Sequence, residues 1–175
     1  KPLSNQANLG IYVFKRSVLE ARLYEDTADP ASTHDFGKDI IPRMVEQCDC
    51  YAYEFPHYWR DVGTLQSYWD ANMECLDPAS GLDLQHWEVR TNWAGGAIHN
   101  SMPTMIRNGG RVINSMVGKG SRIRGAVINS VLFRAVEVCE GAQVRDSVLM
   151  DGVVVQPGAR LDHVISDKAT AFGAN

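Results

Sequence analysis

Residues 112–165 read VINSMVGKGSRIRGAVINSVLFRAVEVCEGAQVRDSVLMDGVVVQPGARLDHVI. Apolar residues recur there at every fifth or sixth position, and short turns containing glycine fall between them. This spacing is too long for one strand and unlike the 3.6-residue period of a helix. It is typical of a solenoid, in which each short strand forms one side of a coil and packs against neighbouring coils. The predicted inward residues are Val117, Ile123, Ile128, Phe133, Val138, Val144, Leu149, Val155 and Leu161.

An antiparallel sandwich of five- or six-residue strands is the alternative for this stretch. Apolar and polar residues alternate poorly here, and the hairpin dipeptide Asn-Gly is absent from residues 112–165. The sequence therefore favours the solenoid.

The N-terminal part mixes helix and strand patterns. Leu9 to Phe14 and Tyr51 to Phe55 predict short strands, and residues 18–24 predict a helix. Asp35 is positioned to cap a second helix, in which Pro42 predicts a break. We interpret residues 1–77 as an α/β remnant of a Rossmann-like domain. Residues 78–110, rich in Gly and Pro, are a predicted connector, and residues 111–175 are the predicted solenoid domain.

Composition excludes several classes of partner and site. The formal net charge of −4 argues against nucleic acid, and no apolar run approaches the roughly 20 residues that span a bilayer. Cys48, Cys50, Cys75 and Cys139 lack the paired spacing of a zinc site. We interpret them as reduced thiols of a cytoplasmic protein.

The stretch Tyr58-Trp59-Arg60-Asp61-Val62-Gly63-Thr64 is the strongest candidate for chemistry. Thr64 is a good N-cap for the apolar helical pattern that follows, so Asp61 lies on a turn just before a helix. A carboxylate in that position is a natural element of a metal or phosphate site. Alternatively, Asp61 only caps the turn.

Three motifs together carry a family resemblance. Tyr58–Thr64, His34-Asp35-Phe36-Gly37-Lys38-Asp39-Ile40-Ile41-Pro42 and Asn8-Leu9-Gly10-Ile11-Tyr12-Val13-Phe14 resemble motifs of bacterial ADP-glucose pyrophosphorylases (glucose-1-phosphate adenylyltransferases), in the family's order. The resemblance implies a nucleotidyltransferase of glycogen or glucan synthesis that transfers AMP from ATP to glucose 1-phosphate. It also implies that the solenoid is a left-handed parallel β-helix.

The resemblance further implies a divided metal site. Asp61 matches the second Mg²⁺-binding aspartate of the family, while the Gly-rich nucleotide loop and the first metal-binding aspartate have no counterpart in these 175 residues. We therefore expect a C-terminal portion that is inactive alone and holds no tight Mg²⁺ site.

The resemblance assigns the remaining site residues. Asn8, Gly10, Asp35 and Trp59 lie in motifs near the sugar site, although capping or core packing also explains Asp35 and Trp59. Lys1 either contacts the sugar phosphate, as the lysine of a Glu-Lys-Pro motif, or only marks where the chain starts.

The resemblance also implies a regulatory role for the solenoid. Lys168 matches a basic residue that binds a small-molecule allosteric effector in the family; a solvated surface charge is the alternative. The family also implies a homo- or hetero-tetramer. Two other functions stay open: an acyltransferase-like β-helix using a histidine such as His163, and a non-catalytic regulatory or assembly subunit.

Overall fold

The computed structural model describes residues 7–84, 86–88, 102–107 and 109–173, which belong to two units, Lys1–His57 and Tyr58–Asn175. All four cysteines are free thiols. No helix within the described ranges combines the length and apolar character needed to cross a membrane. Lys1 and residues 89–101 of the predicted connector lie outside the described residues.

The first unit is built from helical segments. Helix α1 spans Arg16–Thr27, a π-helical turn spans Phe36–Ile40, and α2 spans Ile41–Gln47. Pro42 lies in the first turn of α2, where a missing backbone N–H is tolerated. The break predicted at Pro42 is therefore seen as the change from π-helical to α-helical backbone.

The prediction of two β-strands in the first unit is wrong. Residues 9–14 and 51–55 form no β-strand, and Val13 and Tyr51 are 97% and 92% exposed. A strand exists only when a neighbouring backbone satisfies its N–H and C=O groups. No described segment pairs with either stretch, so the two stretches alternate apolar and polar residues without forming a sheet.

The second unit starts with a helix and continues as a solenoid. Helix α3 spans Leu65–Glu74. The strands are β1 Met105–Ile106, β2 Arg111–Ile113, β3 Met116–Val117, β4 Arg122–Ile123, β5 Ala126–Ile128, β6 Val131–Leu132, β7 Glu137–Val138, β8 Gln143–Arg145, β9 Val148–Leu149, β10 Val154–Val155, β11 Arg160–Asp162, β12 Ile165–Ser166 and β13 Ala171–Phe172. The coils begin at Met105, ahead of the predicted boundary at residue 111.

Each strand pairs in parallel with the strand three places further along the chain, which confirms the parallel β-helix. The three sheets have the orders β1-β4-β7-β10-β13, β2-β5-β8-β11 and β3-β6-β9-β12. Equivalent positions are 15 residues apart in one coil and 17 in the next, as in the contacts of Ser115 with Ser130 and of Ser130 with Ser147. Each sheet thus forms one side of a three-sided coil.

The core of the β-helix is one continuous apolar column. Its buried members are Ile123, Val127, Leu132, Val136, Val138, Ala142, Val144, Leu149, Val153, Val155, Ala159 and Leu161. The predicted inward positions of Ile128 and Phe133 are wrong. Their neighbours Val127 and Leu132 are buried in the column instead. In the three-residue strand β5 only the central side chain points inward, because successive side chains point to opposite faces.

Candidate functional site

The turn that carries Asp61 is fixed to the start of α3 by a capping box. Thr64 has extended backbone angles, and its hydroxyl accepts a hydrogen bond from the Ser67 N–H at 3.1 Å. The Thr64 N–H donates in return to Ser67 Oγ at 3.1 Å. These reciprocal bonds satisfy backbone donors that the first helical turn leaves unpaired. The predicted cap and the predicted helix are both confirmed.

Arg60 ties the same turn to the middle of α3. Its guanidinium forms ion pairs with Asp70 and Glu74, each at 2.7 Å. Asp70 and Glu74 lie four residues apart and therefore share one face of the helix. The side chain of Arg60 is 35% exposed, so these pairs are partly shielded from water. The cation of the motif thus holds the turn in place.

Tyr58 adds a second link to the same helix face. Its hydroxyl donates a hydrogen bond to Glu74, and its ring lies edge-on to Trp87 at 6.3 Å between centroids. Burial, followed by the hydrogen bond to Glu74, raises the pKa of Tyr58 to about 12. Tyr58 therefore stays a protonated donor throughout the neutral range.

Asp61 itself is left available for a ligand. It is exposed, and none of the described residues forms a hydrogen bond or ion pair with its carboxylate. A Cβ at position 63 would lie 3.3 Å from Asp61 Oδ2, so Gly63 leaves the carboxylate room. An exposed carboxylate on a turn held by Tyr58, Arg60 and Thr64 has the chemistry of a ligand for a hard divalent cation.

The other predicted sugar-site residues lie in the first unit, except for Trp59. Trp59 precedes the Asp61 turn and is 41% exposed. In the first unit the rings of Phe14 and Phe36 contact each other, with centroids 6.3 Å apart. This contact brings the motif of residues 8–14 beside the motif of residues 34–42.

Asn8 is occupied by local contacts. Its amide donates to the Tyr12 hydroxyl at 2.7 Å, and its Oδ1 accepts from the Gly10 N–H at 2.8 Å. Gly10 has a φ of 72°, a left-handed angle that glycine adopts without strain. No atom lies within 4 Å of the position of an added Cβ, so conformation and not space accounts for this glycine.

Asp35 caps the π-helical turn. Its Oδ1 accepts hydrogen bonds from the Gly37 and Lys38 N–H groups at 2.8 and 2.9 Å. A carboxylate that caps a helix satisfies backbone donors, so this contact accounts for Asp35 structurally. The geometry leaves its predicted role at the sugar untested.

A buried carboxylate behind this motif was missed by the sequence analysis. Asp26 is 5% exposed and accepts hydrogen bonds from Ser32 Oγ at 2.5 Å and from His34 Nδ1 at 2.7 Å. The Ser32 bond, followed by the His34 bond, holds the pKa of Asp26 below its ordinary value. His34 has a left-handed φ of 59°, and its link to Asp26 fixes the residue just before Asp35. The sequence predicted a polar loop from residue 25, whereas α1 continues to Thr27 and carries Asp26.

Lys168 belongs to a ladder of charged residues at one corner of the β-helix. The backbone carbonyls of Lys119, Arg134 and Asp151 accept hydrogen bonds from the next coil at 3.0, 2.9 and 2.8 Å, which stacks these positions. Asp151 lies between the cations and pairs with Arg134 at 2.5 Å. The Arg134 hydrogen bond, with a smaller contribution from the charge of Lys168, lowers the pKa of Asp151.

We expect Asp151→Asn to remove an acid-sensitive part of β-helix stability. A carboxyl whose pKa is lowered on folding stabilises above its unfolded pKa, and that stability is lost as the pH falls through the folded pKa. The melting temperature of the wild type should therefore exceed that of Asp151→Asn at pH 7, and the gap should narrow progressively as the pH falls below about 4. Melts from pH 7 to pH 2 test this, with Glu140→Gln, an exposed carboxyl, as the control. A gap that persists at pH 2 contradicts the assignment.

The β-helix also carries a cluster of a histidine and two carboxylates. The potential ligand atoms of Asp146, Asp162 and His163 lie within 4.8 Å of one another, although the histidine spacing in the sequence gave no such signal. His163 hydrogen-bonds Asp162 and stacks on the ring of Trp69. The described residues therefore engage His163 in packing.

Comparison with known proteins finds two families along the chain. Residues 1–78 match the nucleotidyl transferase family, and residues 101–174 match the GlmU-like C-terminal hexapeptide family. A glucose-1-phosphate adenylyltransferase of Thermotoga maritima is 42% identical over 149 residues, which cover 83% of this chain and 34% of the relative. The resemblance to glucose-1-phosphate adenylyltransferases is confirmed.

Two other glucose-1-phosphate adenylyltransferases show how much of such a protein the chain represents. The Acetivibrio thermocellus protein is 38% identical over 177 aligned residues, which cover 99% of this chain and 40% of the relative. The Bacillus cereus protein is 38% identical over 166 residues, covering 94% and 43% respectively. The chain thus carries a nucleotidyl transferase segment and a hexapeptide β-helix, and it spans well under half the length of these adenylyltransferases.

Proposed function

We propose that this chain supplies part of the sugar-phosphate and metal site of a glucose-1-phosphate adenylyltransferase, together with its β-helix. The observation that carries the proposal is the Asp61 carboxylate, which is exposed and has no partner among the described residues, within the segment similar to nucleotidyl transferases. The reaction would join AMP from ATP to glucose 1-phosphate and release pyrophosphate. Such a reaction needs two polyanions held together and their charge neutralised, with little covalent work for the protein.

The donors of the Asp61 turn fit a magnesium ion. Mg²⁺ prefers oxygen ligands and is usually held by one or two carboxylates together with substrate phosphates and waters. Asp61 offers one such carboxylate, and Arg60 and Tyr58 hold its turn against α3. A bound Mg²⁺ would neutralise phosphate charge. The exposed ring of Trp59 would give the sugar a flat apolar surface beside it.

A chimera tests this function. In it, residues 1–175 replace the aligned segment of the Acetivibrio thermocellus relative, which covers 99% of this chain. We expect the chimera to form ADP-glucose from ATP, Mg²⁺ and glucose 1-phosphate, while residues 1–175 alone form none, because their sequence contains no Gly-rich nucleotide loop. The same relative truncated before the replaced segment is the matched control. A folded chimera without activity, or turnover by residues 1–175 alone, contradicts the proposal.

We also propose that Lys168 contributes to an anion-binding effector site. It is exposed on the corner that also carries the exposed Lys119, while Arg134 of the same corner is paired with Asp151. In the active chimera, Lys168→Gln should weaken the response to an anionic sugar phosphate such as glucose 6-phosphate without changing basal turnover. An unchanged response removes Lys168 from the site.

A further inference from the structure

A second corner of the β-helix forms a regular ladder of polar side chains. Asn114, Asn129, Asp146 and His163 occupy equivalent positions in successive coils, all with left-handed φ angles of 40°, 46°, 45° and 53°. The Asn114 amide donates to Asn129 Oδ1 at 2.8 Å, and the Asn129 amide donates to Asp146 Oδ1 at 2.5 Å. Asn and Asp tolerate this backbone conformation, and these side-chain bonds make the corner a rigid edge.

Helix α3 is attached to this edge through Trp69. The indole N–H donates to the backbone carbonyl of Asp146 at 2.7 Å. The indole ring stacks on the imidazole of His163, with centroids 5.4 Å apart and planes 23° apart. One side chain therefore contacts two successive coils, by a hydrogen bond on one and by ring stacking on the next.

The same helix holds the Asp61 turn. Asp70 and Glu74, which bind Arg60, follow Trp69 along α3, and the capping box with Thr64 precedes it. A ten-residue helix is a rigid element, so its placement by Trp69 also places the groups that grip the turn. The physical path from the β-helix to Asp61 therefore runs through the hydrogen bond and ring stacking of Trp69, helix α3, and the ion pairs and capping box that hold the turn.

We propose that Trp69 and His163 are positioning residues that fix the Asp61 turn by seating α3 on the corner of the β-helix. The role of Asp61 as a metal ligand rests on the proposed function, whereas the contact between α3 and the β-helix does not. His163→Asn tests the seating most cleanly. It places at this corner the residue type found at positions 114 and 129, so the left-handed backbone is tolerated while the aromatic surface is lost.

Hydrogen exchange on residues 1–175 measures the seating directly. We expect Trp69→Ala and His163→Asn to speed exchange of the amides of Leu65–Glu74 roughly tenfold, the change for losing about one net contact. The strand amides of β5–β9 should keep their protection. Leu65→Ala, which removes a 77% exposed side chain from the same helix, is the control and should leave exchange unchanged. Unchanged α3 exchange, or equal loosening of α3 and the strands, overturns the proposal.

The chimera supplies a second readout that a purely structural contact would not alter. With His163→Asn, we expect turnover to fall and the Mg²⁺ concentration for half-maximal rate to rise several-fold. Trp69→Phe, which keeps a ring for stacking, should lose less turnover than Trp69→Ala. Unchanged Mg²⁺ dependence in His163→Asn overturns the positioning role. If the parent chimera is inactive, the proposed function fails, and the exchange measurement still decides the seating.

Discussion

Leu132→Ala should lower the free energy of unfolding of the β-helix by about 2–5 kcal/mol. Leu132 is 2% exposed and belongs to the apolar column that runs through all the coils. Removing its branched end deletes apolar contacts and leaves a cavity that parallel strands, bonded to the coils on both sides, cannot close freely. Because each coil packs only on its neighbours, the loss weakens the interfaces on both sides of the altered coil.

Ile128→Ala is the matched control, since it removes a side chain of the same size from the same coil. Ile128 is only partly buried and lies outside the central column, so its truncation should cost clearly less. Urea unfolding of residues 1–175, followed by far-ultraviolet circular dichroism, gives both values. An equal or larger loss for Ile128→Ala would contradict the inward assignment of Leu132.

These two residues also show where sequence reasoning was sufficient and where it was not. The recurrence at five or six residues comes from a column of inward side chains, and that column exists, so the parallel β-helix could be predicted. The exact inward residue could not be, because Val127-Ile128 and Leu132-Phe133 are adjacent apolar pairs. Val127 lies four residues after Ile123, just short of the predicted spacing, and only the direction of the strand backbone decides which member of each pair points inward.

The first unit shows a different limit. The helix predicted at residues 18–24 and the cap predicted at Asp35 depend on local chemistry, and the structure confirms both, with the helix extending over Arg16–Thr27. The strand patterns of residues 9–14 and 51–55 depend on a neighbour, which no described segment provides. Local apolar alternation predicts which face a strand would bury, but it says nothing about the partner that makes it a strand.

The candidate site divides in the same way. The turn at Asp61 and the cap at Thr64 follow from seven consecutive residues. The ion pairs of Arg60 have a sequence signal, because Asp70 and Glu74 are spaced four apart on a predicted helix. The contact between Trp69 and Asp146 spans 77 residues and depends on how the coils stack, so no local pattern could reveal it.

Asp61→Asn in the chimera should lower turnover by orders of magnitude. The substitution keeps the size of the side chain and removes the charge that would hold Mg²⁺ against the phosphates. Stabilising charge at a transferring phosphoryl group is typically worth about 3 kcal/mol or more. Stability should change little, since the Asp61 carboxylate has no partner among the described residues and the turn is held by Arg60 and Thr64.

The alternative for Asp61 predicts the opposite pair of results. If the carboxylate only supports the turn, Asp61→Asn should lower the melting temperature modestly and leave turnover near normal. Asp70→Asn provides a contrast, because it removes one of the ion pairs of Arg60 and should lower the stability of the turn as well as turnover.

Steady-state turnover of the Asp61→Asn chimera across a Mg²⁺ titration, paired with a thermal melt, tests the role of Asp61 most directly. Our account predicts a loss of at least about a hundredfold in turnover that excess Mg²⁺ does not restore, with an unchanged melting temperature. Near-normal turnover at limiting Mg²⁺ would contradict it.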